Sequence, residues 1–97
     1  MTLAFDDDRA ALYTVGQVAG MLDVQPAFLR RLDTEQVVQP ARSDGGQRRY
    51  SRRDVSLVQH VVGMTDEGMT LAGIRRILTL EAEVTELKRQ IEELQAG

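Results

Sequence analysis

The sequence predicts a mostly α fold: a winged helix-turn-helix domain with a small β-hairpin wing, followed by a C-terminal dimerising coiled-coil helix. Three observations lead there. Two short apolar-periodic stretches, 14–22 and 26–34, are separated by three residues, and the second opens on Pro26. The stretch Arg42-Ser-Asp-Gly-Gly-Gln-Arg-Arg-Tyr-Ser51 packs a two-glycine turn, three guanidiniums and an aromatic into ten residues. From Ile77 to Leu94 apolar residues recur alternately three and four apart.

Residues 1–12 form an acidic lead with little periodicity and read as a flexible N-terminus. Thr14-Val-Gly-Gln17 fits a capping box at the start of a short helix whose apolar face is Val18, Ala19, Met21 and Leu22. Asp23-Val-Gln25 is the turn. Proline is tolerated at a first helical position, so a second helix runs from Pro26 to about Thr34, with Leu29 and Leu32 inward and Arg30 and Arg31 outward. Such a pair matches the helix-turn-helix that lays its second helix in the DNA major groove, although any αα-hairpin shares the pattern.

Gly45 and Gly46 can take positive φ without a Cβ penalty, which lets arms near 37–43 and 47–50 fold back on each other. Arg42 sits on one arm, Arg48 and Arg49 on the other. Permanently charged guanidiniums on a stiff ribbon suit phosphate oxygens. The plainer alternative is an ordinary solvated hairpin.

Ser51-Arg-Arg-Asp54 is a second capping box, opening a core helix with Val55, Leu57, Val58, Val61, Val62 and Met64 inward. Gly68 ends it as a left-handed cap, and Thr70 starts the last helix. Ile77, Leu80, Val84, Leu87, Ile91 and Leu94 form a continuous seam over roughly 27 Å at ~1.5 Å per residue, longer than the core available to cover it. A second copy is the expected cover, giving a homodimer; the alternative is a stripe folded onto its own domain. Residues 13–76 are thus assigned to the winged domain and 77–97 to the dimerisation helix.

Composition narrows the function. Ninety-seven residues make one small domain that benefits from oligomerisation. With 42% apolar and 28% charged residues and no apolar run near ~20, the chain is neither disordered nor membrane-spanning. No signal peptide is visible, which places it in the cytoplasm at the bacterial nucleoid. The absence of cysteine removes disulfides and thiolate metal sites, and the single histidine, His60, cannot build a zinc site alone. No cofactor or metal is expected. His60 has no nucleophile or carboxylate cluster to work with, so an enzyme is not expected either. Net charge is −3, but it divides into −3 over 1–25, +3 over 26–60 and −3 over 61–97. Positive charge gathered around the hairpin is the footprint of a local phosphate-binding face.

The order of these elements resembles a MerR-family regulator over residues 13–95. The resemblance rests on Tyr13-Thr-Val-Gly-Gln-Val-Ala19, Pro26-x-x-Leu-Arg30, Pro40-x-Arg42 and Gly46-x-Arg-x-Tyr-Ser51. Leu29-Arg-x-x-Asp33, Gly45-Gly-x-Arg-Arg-Tyr-Ser51 and Asp66-Glu-Gly-x-x-Leu-Ala-Gly-Ile-Arg-Arg-Ile77 are similar to the HspR heat-shock repressor branch. The resemblance implies a dimeric repressor on an inverted-repeat operator of stress or heat-shock genes. Its implied DNA-facing set is Gln25, Ala27, Phe28, Arg30, Arg31, Arg42, Gly46, Gln47, Arg48, Arg49 and Tyr50. Arg30 and Arg42 would contact phosphate or base edges, Arg48 would grip the backbone, and Tyr50 would pack or hydrogen-bond at the wing base. Partners so implied are double-stranded DNA, a second copy, and a protein co-regulator such as the chaperone DnaK or a sigma factor. Nothing after the coil suggests an effector domain, so small-molecule sensing is not expected.

The chain departs from the family pattern in places. Ala27 and Phe28 stand where polar readers are common; either could only meet a thymine methyl, and Phe28 could instead be buried. Asp23 and Gln36 stand where glycine is usual, which implies strain or an altered loop. Family members pair their terminal helices antiparallel, whereas Ile or Val at a with Leu at d favours a parallel coil; the orientation here follows the family. Two other readings remain: an architectural or excisionase-like DNA-binding protein, and an adaptor for a sigma factor or chaperone.

Overall fold

The computed structural model describes residues 7–97. Seven elements follow in chain order: β1 (Tyr13–Thr14), α1 (Val15–Leu22), α2 (Pro26–Thr34), β2 (Ala41–Arg42), β3 (Arg48–Tyr50), α3 (Arg52–Asp66) and α4 (Leu71–Ala96).

The helix starts follow the local chemistry. Thr14 Oγ1 accepts from Gln17 N–H while the Gln17 side chain accepts from Thr14 N–H. Ser51 and Asp54 make the same reciprocal pair at α3. Thr70 Oγ1 accepts from Gly73 N–H at α4. At α2 Gln25 caps without a side-chain bond, and Pro26 fills the first position, where its missing N–H has no partner to lose.

The helix ends repeat one solution three times. α1, α2 and α3 each close on a left-handed residue, respectively Asp23 (φ 54°), Gln36 (φ 60°) and Gly68 (φ 88°). In each case the next N–H reaches back five residues: Val24 to Ala19 O at 3.1 Å, Val37 to Leu32 O at 2.7 Å, Met69 to Met64 O at 3.1 Å. At α2 and α3 the second bond of the Schellman arrangement is also made, Gln36 N–H to Asp33 O and Gly68 N–H to Thr65 O, and all three ends satisfy carbonyls the helix would otherwise leave open. Only α3 uses glycine, so Asp23 and Gln36 hold a conformation that costs an L residue roughly 1–2 kcal/mol.

The sheet holds three strands in the order β1-β3-β2, both pairs antiparallel, with Tyr13 opposite Tyr50, Thr14 opposite Arg49, Ala41 opposite Arg49 and Arg42 opposite Arg48. β1 is an addition to the expected hairpin. The first arm is shorter than its expected 37–43 span, because Val37 and Val38 turn back onto Leu32 O and are buried at 7% and 2% exposure. At the tip only Gly46 takes a positive φ, at 83°.

One core joins every helix and β3. Val18, Leu29, Leu32, Val38, Tyr50, Val58, Val61 and Ile74 are almost fully enclosed. Met21, expected inward, is instead 53% exposed. α4 contributes Leu71 and Ile74 to this core and half-buries Ile77 and Leu78; from Thr79 onward it is exposed throughout. It crosses the expected 76/77 division without a break.

Of the lead expected to be flexible, residues 1–6 lie outside the described residues. The rest is tied to the domain: Arg53 N–H donates to Asp8 O at 2.9 Å, and Leu12 N–H to Tyr50 O at 3.0 Å. Backbone groups make both bonds, so the acidic side chains do not oppose them.

Candidate nucleic-acid interface

α2 turns one face outward. Ala27, Arg30, Arg31 and Thr34 are exposed at spacings of three, one and three, while Leu29 and Leu32 point into the core. Arg31 is paired with Glu35 one turn on. Arg30 has no side-chain partner among the described residues, so it is the one guanidinium on this face free of an internal acceptor. Gln25 is exposed at the helix start.

Phe28 lies off this face. It is half-buried against the core and lines a shallow groove with Leu22, Val24, Val62 and Thr65. The groove's other wall comes from Val62, Thr65 and Asp66 of α3.

The wing is a tight five-residue loop between β2 and β3. Ser43 N–H donates to Gln47 O at 2.7 Å, Gly46 N–H to Ser43 O at 2.9 Å, and Gln47 N–H to Ser43 Oγ at 3.1 Å. Gly46 and Gln47 are exposed at the tip. Arg49 folds along its own strand, donating to Arg48 O at 3.3 Å and to Gln47 Oε1 at 3.4 Å.

Arg42 and Arg48 do not project freely. They face each other across the hairpin and converge on one oxygen of α2, Asp33 Oδ2, which accepts from Arg48 Nε at 2.7 Å and from Arg42 Nη2 at 2.9 Å. Arg42 Nη1 also donates to Gly46 O at 3.2 Å. The Asp33 side chain is 11% exposed, that of Arg48 18% and that of Arg42 49%. Both wing strands are thereby fastened to the last turn of α2. An ion pair this enclosed loses more to desolvation than a surface pair but is also less screened.

Tyr50, named in the implied DNA-facing set with a packing or hydrogen-bonding role at the wing base, is a core residue. It is 1% exposed, at the centre of the sheet. Its hydroxyl finds no hydrogen-bond partner among the described residues. Burial raises its pKa above the ordinary 10.0, with Arg48 opposing the rise and the carboxylates of Asp33 and Asp54 adding to it. A phenol aimed into the core offers nothing to a surface ligand.

Two features escaped the sequence reading. Asp33 was seen only as part of a motif, since its partners lie nine and fifteen residues away. Arg52 and Arg53 occupy the spacer positions of the capping box, and both are exposed beside the wing's second strand with guanidiniums that have no partner among the described residues. Three clustered arginines, 49, 52 and 53, were the available signal.

Among the described residues no cluster of His, Asp or Glu is placed to hold a metal ion, and no helix is long and apolar enough to cross a membrane.

Comparison with known proteins places this geometry. A family model described as MerR HTH family regulatory protein matches residues 13–81. A Streptomyces coelicolor protein provisionally named heat shock protein HspR is 41% identical over 87 residues, a span of 89% of this chain and 58% of that protein. Among solved structures, a MerR-family transcriptional regulator from Bacillus cereus superposes with a TM-score of 0.64 at 24% identity, over 87% of this chain and 67% of that one. HiNmlR, a MerR family regulator lacking the sensor domain and bound to promoter DNA, superposes with a TM-score of 0.63 at 23% identity, over 86% of this chain and 84% of its own. At these identities the two structures share the fold.

Proposed function

Because the chain belongs to the MerR family of helix-turn-helix regulatory proteins, we propose that it is a cytoplasmic, sequence-specific repressor that binds an inverted-repeat operator of stress or heat-shock genes as a homodimer. The observation that carries this reading is the fastening of the wing to the last turn of α2, beside its exposed Arg30 and Arg31. A helix and a ribbon held as one unit can engage a major groove and the adjoining backbone together.

In this reading Arg30 reads a base edge, and Arg31 joins it by exchanging Glu35 for DNA. Gln25 and Ala27 lie at the entering end of α2. Arg42, Gln47, Arg48, Arg49 and the Gly46 backbone lie along the phosphates. Phe28 and Tyr50 support the unit from inside. The 41% identity to the protein named for HspR supports the heat-shock assignment.

The second copy covers α4. Leu80, Val84, Leu87, Ile91 and Leu94 are exposed at 52%, 49%, 57%, 52% and 82%, a run of large apolar side chains on one stripe. Isolated exposed leucines are ordinary, but a continuous stripe favours a partner.

Selection of bound fragments from genomic DNA, followed by footprinting, tests the reading. A protected inverted repeat is expected, lost in the monomer made by Leu87→Asp. Binding without sequence preference would favour an architectural protein instead, and no enriched fragment at all would leave the adaptor reading.

A further inference from the structure

We propose that Asp33 is a positioning residue that sets how well the protein distinguishes its chosen DNA sequence from any other; this rests on the DNA-binding reading above. The argument is geometric. Asp33 Oδ2 takes Arg48 by Nε, leaving both Nη groups of that guanidinium without a partner among the described residues. Held by one edge, the planar fork is oriented, and its free edge is the one that can donate two parallel bonds to a phosphate. The same oxygen takes Arg42 from the opposite strand, so one carboxylate fixes the hairpin's attitude to α2.

Two consequences follow together. Register on DNA comes from backbone contacts that place the reading helix, so an unfixed wing blurs which bases α2 meets. Meanwhile the carboxylate offsets one of two positive charges, which lowers attraction to phosphates of every sequence. Asp33 therefore works against indiscriminate binding in both ways.

The probes are the 30-base-pair duplex that the wild-type protein enriches most from a random library, and a scrambled duplex of equal composition. Asp33→Asn is expected to bind the scrambled duplex as well as or better than wild type and the selected one more weakly. The ratio of the two affinities should fall on the order of tenfold, the scale of one misread base pair. On the scrambled duplex the slope of log K against log salt should steepen by about 0.9 for each additional phosphate engaged. Asp33→Glu should recover part of the ratio. Arg48→Lys keeps the charge but not the fork, and should lower the ratio with the slope unchanged; the double variant should be no worse than Arg48→Lys. If Asp33→Asn does not fold, Arg48→Lys carries the test.

Unchanged ratios in folded Asp33→Asn or in Arg48→Lys would overturn the proposal. So would equal losses on both duplexes with an unchanged slope, the mark of a merely structural role. Wild-type protein that binds neither duplex at low salt would sink the DNA-binding reading itself, and this inference with it.

Discussion

His60 Nε2 lies 3.0 and 3.2 Å from the two carboxylate oxygens of Glu81, joining α3 to α4. Glu81 sits one turn beyond Ile77 and Leu78, the last residues of α4 that the core half-buries. Among the described residues no other side-chain hydrogen bond links these helices, so it extends the anchored part of α4 where the apolar stripe begins to project. Both side chains are about half exposed, 48% and 52%, which bounds the gain. A double-mutant cycle of His60→Ala and Glu81→Ala should give a coupling of about 0.2–1 kcal/mol. A value above about 2 kcal/mol by urea denaturation would mean that the pair is buried in the working assembly.

The left-handed helix ends predict opposite outcomes for one kind of substitution. Gln36→Gly should stabilise the domain by about 1 kcal/mol, because it removes the Cβ penalty at φ 60°. Asp23→Gly should gain less, since aspartate tolerates this region better than glutamine. Gly68→Ala should lose about 1–2 kcal/mol although a Cβ there meets nothing within 4 Å, the penalty lying in the backbone. Thermal unfolding of the three variants checks the set, and a destabilised Gln36→Gly would contradict the strain argument.

Tyr50→Phe removes a buried hydroxyl that lacks a partner, so stability should stay level or rise by up to about 1 kcal/mol. Tyr50→Ala should cost about 3–5 kcal/mol through the cavity it opens. The raised phenol pKa gives a pH signature. Folding favours the neutral phenol, so stability is retained below the ordinary value of 10.0 and lost as pH climbs beyond it. That alkaline loss should be smaller in Tyr50→Phe. A marked loss of stability in Tyr50→Phe at neutral pH would show that the hydroxyl is satisfied after all.

What the sequence disclosed follows from how local each feature is. The capping pairs Thr14/Gln17 and Ser51/Asp54 span three residues and could be read directly. The unusual residues Asp23 and Gln36 marked the two strained ends. β1 could not be read, because a two-residue strand is defined by Tyr50 and Arg49, far along the chain. The Asp33 clamp was hidden for the same reason. Met21 shows the limit of periodicity: spacing gives a helix an apolar face, but the rest of the fold decides how much of that face is covered, and Met21 is left exposed.

Arg30 and Arg49 should separate reading from gripping. Arg30→Ala should weaken binding to the selected duplex by about 1–3 kcal/mol and relax preference at one base position. Arg49→Ala should weaken selected and scrambled duplexes alike and flatten the salt slope by about 1. Equal losses on both duplexes for Arg30→Ala would remove it from the reading role.

The central claim, a dimer that holds DNA through helix and wing, is tested most directly by titrating duplex DNA with the whole chain across a range of salt. If the dimer neutralises ~6 to 8 phosphates, log K should fall with log salt at a slope of about −5 to −7. Binding that is absent at low salt, or present with a slope near zero, would contradict it.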